Sequence, residues 1–173
     1  MNTKYVVLEE KYASWIISQA KIQYKDLYKN GKQQDELNSY IENTYKMSSF
    51  SRSQNDFSIQ TLMVFNNQNP IGSIEINTFP RLDIKLEQAK KPMYINKLFY
   101  SDIQAVEELF RKVENIALQK NHDFIYGEFL SERKDVIKII QNRGYKIYHK
   151  NNTLTKTNLK LSTAIKSINK END

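Results

Sequence analysis

The 173-residue sequence contains no cysteine, which excludes disulfides, thiolate nucleophiles and zinc–thiolate sites together. Histidine is nearly absent: His122 and His149 are the only two, too few for a multi-histidine metal site, so no metal centre is expected. Glycine is scarce as well. Gly31, Gly72, Gly127 and Gly144 are the only four, and none lies between residues 73 and 126. No P-loop, catalytic triad or metal-ligand spacing is found. Apolar runs fall far short of the ~18 residues that span a bilayer, and the opening MNTKYVVLEE lacks a signal peptide's hydrophobic stretch. These absences give the expectation of a cytoplasmic protein with no membrane association.

What is present suffices for a packed core. The hydrophobic fraction is 39% and the aromatic fraction 12%, within the range of a folded chain. Net charge is +6, which raises the question of nucleic-acid binding. The lysines, however, are spread along the chain among acids, without an arginine cluster or stacking motif, so nucleic acid is not an expected partner.

The hydrophobic pattern gives an order of elements. A short strand is expected at Tyr5–Leu8, a helix from Tyr12 to about Lys29, and a second helix from Asp35 through Tyr45. MSSFSRSQND is read as a loop. Residues 57–65 and 71–79 form a hairpin, 80–91 a polar connection, and 93–100 a further strand. The helix over 102–120 has the clearest apolar stripe: Val106, Leu109, Phe110, Val113, Ile116 and Ala117. A strand at 124–130, a helix at 132–142, and a hairpin from 145–150 and 153–159 complete the chain. The strand–helix–strand unit over 93–130 implies a parallel pair with a right-handed crossover between flanking hairpins. A domain over 1–159 is expected, with 160–173 as a polar, flexible tail.

Four segments, in this order, resemble the GNAT N-acetyltransferase superfamily over about residues 4–158. YKDLYKNGKQQDELNSYIENTY (24–45) is similar to the amino-terminal helices of its spermidine/spermine-acetyltransferase branch. NPIGSIEIN (69–77) resembles a strand of that branch, KLFY (97–100) the strand that carries the cofactor, and VIKIIQNRGYKIY (136–148) the signature helix with its following turn. The resemblance implies an α/β (α+β) fold with a mixed, mostly antiparallel sheet of about seven strands, flanked by helices on both faces. It implies transfer of an acyl group from acetyl-CoA or another acyl-CoA to an amine of a small molecule or protein, and a homodimer.

Departures from the family pattern stand beside it. A glycine loop for the cofactor's diphosphate should follow KLFY; here Tyr100 runs directly into SDIQAVEELF. Ser101 and Gln104 have the spacing of a capping box, and Asp102 would set a carboxylate beside any phosphate. Ile140 stands at the family's thiolate-protonating tyrosine, and Arg133 at its asparagine. On the resemblance, Leu98, Phe99, Tyr100, Ile103, Gln104, Ala105 and Arg133 are the cofactor-binding candidates. Tyr24, Tyr28, Asn96 and Tyr126 are candidates for the acceptor side, with Glu75 and Glu128 as candidate bases. The alternative is a non-catalytic descendant that has lost acetyl-CoA binding and serves as a ligand- or protein-binding module. The deciding feature is whether strands 93–100 and 124–130 splay apart.

Overall fold

The computed structural model describes residues 1–26, 34–81, 89–153 and 159–168. In chain order the elements are β1 (Asn2–Val6), α1 (Glu10–Lys25), α2 (Gln34–Thr44), α3 (Met47–Gln54), β2 (Ile59–Asn66) and β3 (Asn69–Asn77). They continue with β4 (Pro92–Tyr100), α4 (Gln104–Gln119), β5 (Phe124–Leu130), α5 (Lys134–Asn142), β6 (Lys146–Thr153) and β7 (Lys160–Ser167). One seven-stranded sheet has the order β1-β2-β3-β4-β5-β7-β6. Every neighbouring pair is antiparallel except β4–β5, which α4 joins as a parallel crossover.

Helices cover both faces because each carries one apolar stripe. On one face α4 buries Ala105, Val106, Leu109, Phe110, Val113, Ile116 and Ala117, and α5 buries Val136, Ile137 and Ile140. Their core includes Ile74, Ile76, Met93, Ile95, Ile125 and Phe129 from the strands. On the other face, a second cluster packs Ile16, Ala20, Tyr24, Leu37, Ile41, Tyr45 and Phe50 against Phe99 of β4.

Two segments differ from the sequence expectation. Residues 47–54 form a helix, where a loop was expected from their serines. Phe50, only 1% exposed, is the single buried residue that fastens it to the sheet, a tertiary contact that local composition does not reveal. Lys160–Ser167, expected as part of a flexible tail, is a strand inserted between β5 and β6. Its inward residues Ser162, Thr163 and Ala164 are 0–2% exposed, so burial here falls on small and polar side chains instead of an apolar run. The Ser162 hydroxyl meets that of Ser131 at 2.7 Å. Of the strand expected at 153–159, Thr153 ends β6, and residues 154–158 lie outside those described.

A non-glycine terminator ends α4. Asn121 adopts φ 58°, and the His122 amide donates to the Ala117 carbonyl at 2.8 Å, closing the helix where no glycine is available. The His122 ring is then buried, 4% exposed, with Nδ1 at 3.0 Å from the Lys91 carbonyl. A carbonyl only accepts, so Nδ1 carries the proton; Nε2 has no hydrogen-bond partner among the described residues. Burial lowers the pKa of this imidazole from its ordinary value. Below about pH 6.5 the unfolded chain therefore binds a proton that the folded one resists, and stability falls as pH falls, by up to about 1.4 kcal/mol per unit. A His122→Gln variant is expected to lose less melting temperature between pH 7.5 and 5 than the wild type. Equal losses would show that His122 does not titrate across folding.

Candidate active site in a notch of the sheet

The β4–β5 ladder is short. It joins Pro92 to Phe124, Met93 to Ile125, Tyr94 to Tyr126 and Ile95 to Gly127, and ends there. Beyond it, residues 96–100 and 128–130 have no register pairs with each other, so the strands splay. Two sequence features produce the divergence. The register of β3 against β4 steps from Glu75–Lys97 to Ile76–Ile95, leaving Asn96 as the extra residue of a β-bulge. Gly127, at the last rung, lets β5 approach β4 closely: a Cβ there would lie 3.0 Å from both the Ile95 Cβ and its carbonyl oxygen.

The notch opens into a cleft of about 620 Å³, counted out to solvent. It passes between the two faces of the sheet. Gln23 and Tyr24 of α1, Tyr45, Asn96, Lys97 and Glu128 line it alongside Tyr100, Phe129, Arg133 and Val136. Leu98, Phe99 and Leu130 complete the divergent strand walls. Across the gap, 96–100 and 128–130 lack ladder partners in each other; at its edges the Tyr100 carbonyl accepts from the Gln23 side-chain amide at 2.5 Å and the Leu130 carbonyl from the Arg133 amide at 3.0 Å.

At one end, a cluster gathers on the Tyr100 hydroxyl. It donates to Asp135 Oδ2 at 2.8 Å and accepts from the Arg133 guanidinium, which lies 5.0 Å from the ring centroid. Arg133 also reaches Asp135 at 3.4 Å. Burial, then the Asp135 carboxylate, push the Tyr100 phenol up to about 12, against the opposing pull of Arg133. For Asp135, burial acts to raise the pKa, but the Tyr100 hydrogen bond and neighbouring charge outweigh it and hold the carboxyl below its ordinary value. Tyr100 is therefore a neutral phenol whose proton is committed to Asp135.

At the other end, Lys97 Nζ donates to both Glu75 oxygens at 2.8 and 2.9 Å, and the Asn96 amide donates to the same carboxylate. These side chains are 19% and 4% exposed for Lys97 and Glu75, a pair held by geometry that offsets its desolvation. Of the two carboxylates expected as bases, Glu75 and Glu128, only Glu128 lines the cleft. Tyr24 lines the cleft, with its hydroxyl 3.5 Å from that of Tyr45. Burial and the neighbouring Tyr24 and Tyr40 raise the Tyr45 phenol well above its ordinary pKa. Tyr126 packs on Tyr94 at 4.9 Å and is not among the residues that line the cleft, and Tyr28 lies outside the described residues.

The turn between β4 and α4 is tightly closed. The expected Ser101–Gln104 capping box does not form. Asp102 Oδ1 accepts from the Gln104 amide at 2.9 Å, while the Ser101 amide turns back to the Ile71 carbonyl at 2.9 Å. Ile103 is 37% exposed and Ala105 is fully buried; the Ala105 amide donates to the Asp102 carbonyl at 3.0 Å. Sequence reasoning missed Gln23, Tyr45, Lys97 and Asp135. Only Asp135, two residues from Arg133, carried any local signal; the others reach the notch through the bulge and through the docking of α1 and α2.

No family model matches the sequence, and no curated protein matches it. Solved structures do match. A PaiA N-acetyltransferase from Thermoplasma acidophilum, in complex with coenzyme A, is 15% identical with a TM-score of 0.66, covering 94% of this chain and 98% of that one. FeeM, an N-acyl amino acid synthase from uncultured soil microbes, is 14% identical with a TM-score of 0.65, covering 96% and 90%. An acetyltransferase of the GNAT family from Staphylococcus aureus Mu50 is 17% identical with a TM-score of 0.60, covering 97% and 100%. The chain has the fold of the GNAT N-acetyltransferases.

Proposed function

We propose that this protein is an N-acyltransferase that moves an acyl group from a pantetheine thioester, acyl-CoA included, to the amine of a small molecule or protein. The observation that carries this reading is the open notch between β4 and β5, whose strands do not pair with each other beyond Ile95 and Gly127, with Glu128 as the one carboxylate among its described lining residues. An extended arm bearing amides pairs with the exposed edge of 96–100, as a peptide pairs with a sheet edge. Main-chain amides of that edge, fixed before the donor arrives, polarise the thioester carbonyl. Glu128 takes the proton from the attacking amine. As the C–N bond forms and the C–S bond breaks, the departing thiolate takes its proton from water. Glu75 acts at one remove, holding Lys97 and Asn96 in place at the bulge.

One observation favours a second reading, a non-catalytic ligand-binding protein of the same fold: the β4–α4 turn is capped by the carboxylate of Asp102 instead of open to a phosphate. Incubation with acetyl-CoA and a panel of primary amines, followed by mass spectrometry, separates the two. Enzyme-dependent N-acetylation is expected. No acylated product from any amine, together with no binding of acetyl-CoA, would favour the second reading.

A further inference from the structure

We infer that the donor is recognised by its diamide arm and thioester alone, its phosphate end remaining outside the fold; this rests on the acyl-transfer reading above. At the turn from β4 into α4, three backbone donors are already taken by protein acceptors. The Gln104 amide is bound by Asp102 Oδ1 at 2.9 Å, the Ala105 amide by the Asp102 carbonyl at 3.0 Å, and the Ser101 amide by the Ile71 carbonyl at 2.9 Å. One acceptor is itself a carboxylate, so a diphosphate arriving there meets like charge where a helix N-terminus would otherwise attract it.

The turn is also held against the sheet. Gly72 of β3 lies directly under the first turn of α4, and a Cβ placed on it would be 2.6 Å from the Ala105 Cβ. Helix and sheet are in contact there, and the Asp102 amide also turns to the Ile71 carbonyl at 3.4 Å, fixing the turn on the edge of β3. The two cations that line the notch are engaged as well: Arg133 with Tyr100 and Asp135, Lys97 with Glu75. What the site offers an extended donor is amide pairing along 96–100 and a contact for the thioester; among the described residues, the two lining cations and the Ser101, Gln104 and Ala105 amides are engaged with protein groups instead of open to phosphate.

The test compares kcat/KM for three donors at one amine acceptor: acetyl-CoA, acetyl-pantetheine, which lacks every phosphate, and an acetyl-loaded carrier protein. The first two are expected to agree within about threefold, and a preference of about tenfold or more for acetyl-CoA would overturn the inference. A carrier protein that outruns both free donors assigns the arm to a protein, and one that lags assigns it to a free thioester; each result supports arm-only recognition. Asp102→Asn keeps an oxygen to cap Gln104 while removing the charge. It is expected to raise kcat/KM severalfold for acetyl-CoA and leave acetyl-pantetheine unchanged, whereas an equal change for both donors would overturn the role given to Asp102. If no donor supports turnover, the acyl-transfer reading itself has failed.

Discussion

Glu128→Gln is expected to lower kcat/KM for amine acylation by about a hundred- to a thousandfold, without altering the melting temperature appreciably. The size follows from losing a positioned proton acceptor whose shape the amide retains. Glu128 sits on β5 one residue past the last rung of the β4–β5 ladder, where the strands separate and the cleft begins. It is half-buried, so the substitution leaves no unpaired charge in the core. The defect should narrow as pH rises, because more of the acceptor amine is then unprotonated without help. A loss that is independent of pH would assign Glu128 to acceptor binding instead. Glu75→Gln provides the contrast: it strips Lys97 of its buried partner, and its main expected consequence is lowered stability, about 3 kcal/mol or more.

Gly127→Val should damage fold and activity together. A Cβ at this position lies 3.0 Å from the Ile95 Cβ, the Ile95 carbonyl oxygen and the Phe129 Cζ. The phenylalanine ring can shift, but the carbonyl belongs to the backbone of β4 and cannot move without breaking the last rung. Overpacking of this kind costs about 1–3 kcal/mol. For a chain of this length that corresponds to a fall in melting temperature of about 2–12 °C. The strain falls at the pivot of the notch, so activity per folded molecule should drop as well. Loss of stability with unchanged kcat/KM would mean that the exact divergence of the strands is unimportant for catalysis.

Much of the fold was legible because its main signals are local. The apolar stripe of α4 recurs at helical spacing, and the strand–helix–strand order around it dictates a parallel pair. β7 was not legible: its buried residues are serine, threonine and alanine, and its place between β5 and β6 comes from long-range pairing that periodicity does not encode. α3 was hidden for a related reason, since Phe50 alone anchors a segment otherwise made of polar residues.

For the site, the sequence located the two strands that splay and the missing glycine loop, because both are features of contiguous residues. It placed Glu128 and Arg133 at the cleft. It did not distinguish Glu75 from Glu128, which alternate identically along their strands. Only the cross-strand pairing of Glu75 with Lys97 separates a carboxylate engaged in an ion pair from one that faces the cleft. The capping residue shifted from Ser101 to Asp102 because the Ser101 amide and hydroxyl both turn toward the Ile71 carbonyl of the adjacent strand.

Hydrogen–deuterium exchange in the presence of saturating acetyl-pantetheine tests the central claim most directly. If the splayed strands are the donor site, amides within 96–100 and 128–130 slow, while those of the paired stretch 92–95 and of α4 change little. Unchanged exchange at 96–100 and 128–130 under conditions where the donor is bound would contradict the account.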